Sequence, residues 1–233
     1  MLSARERLIV ALDVPTPAEA TTLVDRLAGL AGMFKVGSQL FTAGGPDLVR
    51  ALVARGEKVF LDLKYHDIPN TVAAAVSAAC RLGVSLVDVH ALGGKAMMEA
   101  AVGAMPAMGT RLLAVTVLTS HDAASLGEVG VGGDVADAVR RLALLAHAAE
   151  VDGVVASPQE VALIREACGA DLLVVTPGIR PAQSRLADQA RAATPAAALK
   201  AGADMLVVGR PVIEAPDPAA AARAVLREMD GGA

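Results

Sequence analysis

The chain has 233 residues, 54% of them hydrophobic but only 2% aromatic, with no tryptophan, one tyrosine and a formal net charge of −4. That length suits one large core built from Ala, Val, Leu, Ile and Met, and it matches an α/β barrel made as a single unit. An acidic balance without a basic cluster, together with the shortage of aromatic rings, argues against a nucleic-acid groove or a base-stacking platform.

The N-terminal stretch MLSARERLIVALDV holds one short apolar run that ends at Asp13. It is too short for a signal peptide or a membrane span, and later apolar stretches are interrupted before spanning length, so a cytoplasmic location away from membranes is expected. The first predicted strand covers residues 8–12, followed by a helix over 17–30 with Leu23, Leu27 and Leu30 at helical spacing. A strand at 33–36 and a helix at 46–55 come next, then a strand at 58–63 and a helix at 70–82 that opens on Asn70 and Thr71. Further strands are predicted at 86–90, 112–117, 153–156, 172–175 and 205–208. Further helices are predicted at 135–150, 158–167, 194–200 and 218–229. The strands are short and almost continuously apolar, the pattern of parallel strands covered on one face by helices. Gly56, Gly83, Gly169 and Gly202 follow helical stretches and suit helix C-caps. Cys80 and Cys168 lack a CxxC partner and read as reduced, buried thiols.

Eight strands alternating with helices predict a (β/α)8 TIM barrel, one catalytic domain over residues 1–233. An open doubly wound sheet is the alternative. Asp13-Val14-Pro15-Thr16 follows the first strand where a dinucleotide-binding sheet would carry Gly-x-Gly-x-x-Gly, which disfavours it. Two long irregular stretches, residues 120–134 and 177–191, follow strands and are candidate active-site loops, the second a candidate lid.

Charge gathers at the ends of core strands. Asp13 ends the first, Lys35 lies in the second, and Asp62 and Lys64 end the third. In a barrel these ends form one face, where catalysis takes place. Residues two apart on a strand share a side, so Asp62 and Lys64 project together. Asp67 lies beyond the strand in a turn closed by Pro69, where its carboxylate can serve its own site or a neighbour's. The competing reading is a structural ion-pair network, but a fold seeking stability alone does as well with apolar residues there. His66 reads as a solvated or packing histidine, and His90 as a pocket-lining one. No arrangement of His, Asp and Glu has metal-ligand spacing, so no metal is expected. A second site is read after the seventh and eighth strands, in Thr176-Pro177-Gly178-Ile179-Arg180-Pro181 and Gly209-Arg210-Pro211. Glycine lets backbone N–H groups approach an anion, arginine adds paired donors, and a following helix N-terminus adds a favourable dipole.

The segment Asp62-Leu63-Lys64-Tyr65-His66-Asp67-Ile68-Pro69-Asn70-Thr71-Val72 resembles the signature of the orotidine 5'-phosphate decarboxylase family. The resemblance runs over nearly the whole chain, through Val10-Ala11-Leu12-Asp13, Phe34-Lys35-Val36-Gly37, Val115-Thr116-Val117-Leu118-Thr119-Ser120 and the two Gly/Arg loops. It implies loss of CO2 from orotidine 5'-monophosphate to give UMP, with no cofactor and no metal. By resemblance, Lys64 is the proton donor to C6, Asp62 sits beside the substrate carboxylate, and Lys35 pairs within the array. Asp67 is contributed across a homodimer interface. Asp13 contacts ribose and Thr119 lies near the pyrimidine, while Arg180, Gln189, Gly209 and Arg210 hold the phosphate. The substrate-contact stretch runs from Asp62 through Ile68 to Thr71. Asp-x-Lys-x-x-Asp alone is shared with sugar-phosphate enzymes of the same superfamily that use Mg2+, such as 3-keto-gulonate-6-phosphate decarboxylase and hexulose-phosphate synthase. A non-catalytic phosphate-binding barrel is the remaining alternative.

Overall fold

A computed structural model describes residues 2–107, 109–182 and 193–231. Its parallel strands are β1 (Leu8–Ala11), β2 (Met33–Gly37), β3 (Val59–Tyr65), β4 (Leu86–His90), β5 (Arg111–Val115), β6 (Gly153–Val155), β7 (Leu173–Thr176) and β8 (Met205–Val208). They pair in sequence order and β8 pairs with β1, so the sheet closes into a barrel. The barrel reading holds, and the open-sheet alternative falls.

Strand periodicity divides the core in two. Ile9, Ala11, Met33, Phe60, Leu86, Leu113, Val175, Met205 and Val207 point inward and fill the barrel. The alternate residues, such as Val10, Phe34, Leu61, Val87, Val89 and Val174, pack outward against the helices. Space inside is tight at β6. A Cβ on Gly153 would lie 2.4 Å from the Leu173 carbonyl oxygen, so no side chain fits there.

The outer layer begins with α1 (Ala4–Arg7), α2 (Pro17–Leu27), α3 (Ser38–Ala54), α4 (Pro69–Cys80) and α5 (Lys95–Gly103). It continues with α6 (Ala123–Glu128), α7 (Val135–Ala148), α8 (Val161–Cys168), α9 (Pro195–Lys200), α10 (Arg210–Ile213) and α11 (Pro218–Met229). Local chemistry starts many of them. Thr16 and Asp217 cap α2 and α11 with side-chain oxygens, and each is followed by proline at the first helical turn, where a missing N–H costs nothing.

Several differences from the sequence reading stand out. Helix α5 was not anticipated. Helix α3 starts eight residues before the predicted 46, and its two halves meet at a break at Gly45, φ 61°. Part of the irregular stretch 120–134 folds as α6, capped by Asp122. Residues 183–191 of the candidate lid lie outside the described residues. Just before them, Arg180 N–H donates to the Ala193 carbonyl at 2.9 Å, and Ile179 bridges Ala193. Both cysteines are free, but only Cys168 is buried, and Cys80 is half-buried.

Candidate active site

Four of the predicted charges meet at the C-terminal mouth of the barrel. Lys35 Nζ lies 3.2 Å from Asp13 Oδ1 and 3.0 Å from Asp62 Oδ2. Lys64 Nζ forms an ion pair with Asp62 Oδ1. Charge thus alternates along Asp13, Lys35, Asp62 and Lys64, across three neighbouring strands. Alternation lets a site hold this much charge with little water, because each buried group has an opposite partner.

Protonation states follow from the packing. Burial pushes the Asp62 carboxyl up, but Lys35, a hydrogen bond with Asp88 and Lys64 outweigh it and hold Asp62 at about 2. Burial pushes Lys35 down, and the charges of Asp62 and Asp13 carry it above its ordinary value. At neutral pH Lys35 is therefore a cation and Asp62 an anion.

These residues open on a cavity of about 260 Å3. Ala11, Phe60, Val115, Val155 and Val207 give it apolar walls, and Thr119 and Ser157 add hydroxyls. The loops after β7 and β8 supply Pro177, Gly178, Arg180, Gly209 and Arg210. The charged array and the Gly/Arg loops, read from sequence as two sites, therefore share one chamber. The helix after β8, α10, has only four residues. So short a turn carries little dipole, so anion binding there rests on backbone N–H groups and guanidinium.

Asp13, Lys35, Asp62, Lys64, Thr119, Arg180, Gly209 and Arg210 line the cavity. Asp67, Ile68 and Thr71 do not line it. They lie on the β3–α4 turn and the start of α4, all exposed, with Ile68 66% exposed. Asp67 Oδ1 accepts the Ile68 backbone N–H at 2.6 Å. Gln189 lies outside the described residues. His90 corrects its reading: it leaves the chamber and stacks on His66, ring centres 5.7 Å apart. Burial, then the charges of His66, Lys64 and His121, depress its imidazole to about 4, so it is neutral at pH 7.

Sequence reasoning missed Ser157 and Asp88. Ser157 follows β6 and caps the 3-10 turn Pro158–Glu160; its Ser-Pro pair at a strand end was an available signal. Asp88 lies in the middle of β4 and is fully buried. Its Oδ1 accepts the Lys64 backbone N–H at 2.8 Å. Leu86 faces the barrel interior, and period 2 sends Asp88 the same way, but the flanking valines made the run look purely apolar.

Residues 6–225 match the profile of the orotidine 5'-phosphate decarboxylase / HUMPS family. The chain belongs to this family. It is 54% identical over 237 residues to orotidine 5'-phosphate decarboxylase of Moorella thermoacetica, covering 98% of this chain and 94% of the relative. It is 59% identical over 225 residues to that of Halorhodospira halophila, covering 96% and 95%. A crystal structure of orotidine 5'-phosphate decarboxylase from Lactobacillus acidophilus superposes with a TM-score of 0.84 at 39% identity, covering 96% of this chain and 98% of that one. The curated relatives are carboxy-lyases by name, and this chain is an enzyme of that class. Among the described residues of this family member, no cluster of three or more His, Cys, Asp or Glu is arranged to hold a metal, and no helix is long and apolar enough to cross a membrane.

Proposed function

We propose that this chain converts orotidine 5'-monophosphate to UMP and CO2, the closing step of de novo pyrimidine nucleotide synthesis, as one cytoplasmic catalytic domain. The observation that carries the reading is the alternating Asp13–Lys35–Asp62–Lys64 array opening on the chamber that also holds Arg180 and Arg210. The relatives named above support the substrate.

The chemistry follows from charge. When the bond from C6 to the carboxylate breaks, its electron pair stays on a ring carbon that has no conjugated sink. A fixed ammonium beside C6 stabilises that pair and then delivers a proton to it, so Lys64 is both electrostatic partner and general acid. Two unit charges about 4 Å apart interact by roughly 4 kcal/mol at an effective dielectric near 20. That is a large single contribution, though only part of the barrier. Asp62 orients Lys64 and faces the departing carboxylate, and Lys35 fixes Asp62 from behind. Gly209, Arg180 and Arg210, with Gln189, grip the phosphate, away from the reacting carbon. Binding energy won there holds the ring in place for the reaction. Asp13 contacts the ribose and Thr119 the pyrimidine. No metal or cofactor takes part.

The exposed Asp67-Ile68-Pro69-Asn70-Thr71 turn completes the neighbouring site in a homodimer, with Asp67 beside the partner's array. Its exposure and its absence from its own chain's chamber support that role. The deciding assay follows the ultraviolet change of orotidine 5'-monophosphate with purified enzyme and a strong chelator. Turnover is expected to persist, and no turnover without chelator would overturn the reading. Mixing inactive Asp67→Ala and Lys64→Ala variants is expected to restore activity through mixed dimers. No recovery despite proven subunit exchange would rule out the shared site.

A further inference from the structure

Lys64 is held in an unusual way. It is one of two non-glycine residues with positive φ among the described residues, at 50°. A left-handed backbone costs such a residue roughly 1–2 kcal/mol, and something nearby must hold it. The strand pairing shows where the distortion arises. Leu61 pairs with Val87 and Tyr65 pairs with Val89, so β3 uses four steps where β4 uses two. The surplus residues include Asp62 and Lys64, and the residue facing them across the ladder is Asp88. A bulge frees backbone groups from the ladder. Here the Asp88 side chain takes one of them, with Oδ1 accepting the Lys64 N–H at 2.8 Å.

The other oxygen of Asp88 is harder to explain as an anion. Oδ2 is buried, and no donor reaches it among the described residues. The Asp88 carboxyl is within hydrogen-bonding reach of Asp62, itself a carboxylate held by two lysines. Tyr65 is the remaining titratable neighbour on β3. Two adjacent carboxylates cannot both stay ionised in a dry site, and the proton goes to the one without cationic partners. Asp62 has Lys35 and Lys64 in ion pairs at its oxygens, whereas Asp88 forms no ion pair and accepts the backbone N–H of Lys64, whose charge only partly offsets burial and the Asp62 charge. Burial and then the Asp62 charge push the Asp88 carboxyl well above the carboxylate range, in line with the geometry.

We propose that Asp88 is a positioning residue for the catalytic lysine: a neutral carboxylic acid that accepts the Lys64 backbone N–H and donates its own proton to Asp62. It locks the bulge that aims the Lys64 ammonium into the chamber, and it holds Asp62 in place without adding a second negative charge. This role rests on the decarboxylase reading above for its effect on turnover, but not for its protonation.

Asparagine is the test, because its amide keeps both bonds, accepting at the oxygen and donating at the nitrogen, and cannot ionise. Asp88→Asn is expected to keep kcat within about tenfold of wild type. Asp88→Ala is expected to lower kcat by about 100-fold, the scale of a misplaced catalytic group, with KM changed far less because the phosphate end is untouched. Infrared difference spectra of wild type against Asp88→Asn, with isotope-labelled aspartate, are expected to show a protonated carboxyl at neutral pH. If Asp88→Asn is as impaired as Asp88→Ala, or the protonated band is missing, the neutral acid is wrong. If Asp88→Ala keeps wild-type kcat, the positioning role is wrong. If wild type shows the band but never turns over orotidine 5'-monophosphate, the decarboxylase reading has failed and the acid–carboxylate pair stands.

Discussion

The barrel carries ionic clusters at both ends, and they are built differently. At the N-terminal end, Arg165 pairs with Asp204, just before β8. Arg165 Nε donates to the Gly202 carbonyl at 3.0 Å, and Asp204 Oδ2 accepts the Val174 N–H at 2.7 Å. Arg7 Nε donates to the Asp204 carbonyl at 2.8 Å. Nearly all of this bonding capacity is spent on backbone, stitching α8 and the chain before β1 to the starts of β7 and β8. At the C-terminal end, Asp13, Lys35, Asp62 and Lys64 spend theirs on one another beside a cavity. Buried charge alone is therefore no sign of chemistry in this fold. Charge that answers chiefly to other charge, next to an opening, is.

Substitutions at the two ends should separate stability from turnover. The largest effect is expected for Lys64→Ala: kcat falls at least about 1,000-fold, the combined scale of lost proton donation and electrostatic stabilisation, while circular dichroism shows a folded barrel. Near-normal turnover would erase the distinction between the ends. Arg165→Ala should do the reverse. Urea unfolding should show a loss of about 1–3 kcal/mol, as when part-buried carbonyls and a part-buried carboxylate lose their donor, with kcat/KM unchanged at a temperature where the variant is folded. Arg210→Ala lies between them in kind. Affinity for UMP should drop about tenfold to 100-fold, the range for a lost charge-assisted contact, measured by calorimetry. Unchanged affinity would remove Arg210 from the phosphate end.

The smallest effect is in pH. Asp62 is depressed to about 2 from 3.8, so its ionised form favours the folded state. That contribution is fully present above 3.8 and is lost as pH falls through about 2. It amounts to about 2 kcal/mol. Wild type should therefore lose its stability advantage over Asp62→Asn between those values in acid titrations followed by circular dichroism. A constant difference would mean that Lys35 and Lys64 do not hold Asp62 ionised.

Much of this was legible in the sequence, for reasons that differ by element. Strands β4 and β8 are found at the predicted bounds because short apolar runs between glycine- or aspartate-marked turns leave few choices. The array was legible because a charge in such a run stands out, and period 2 pairs Asp62 with Lys64. Helix α5 was not, because Gly93 and Gly94 precede it and Met97-Met98 resembles core in any conformation. The first half of α3 was hidden by Gly44-Gly45-Pro46, a signal that correctly marks a break but does not say that helix lies on both sides. Asp88 was hidden for a deeper reason. Its partner is a backbone N–H exposed by a bulge in the neighbouring strand, and bulges leave no mark in hydrophobic periodicity.

Tyr65 carries a practical consequence of the same bulge. It is the only tyrosine in a chain without tryptophan, and it is the last residue of β3, one step past Lys64. Burial raises its phenol above the ordinary value. The protein's intrinsic fluorescence therefore comes from one ring placed at the end of the strand that holds Lys64. Any event that shifts this strand end has a built-in optical reporter that needs no label.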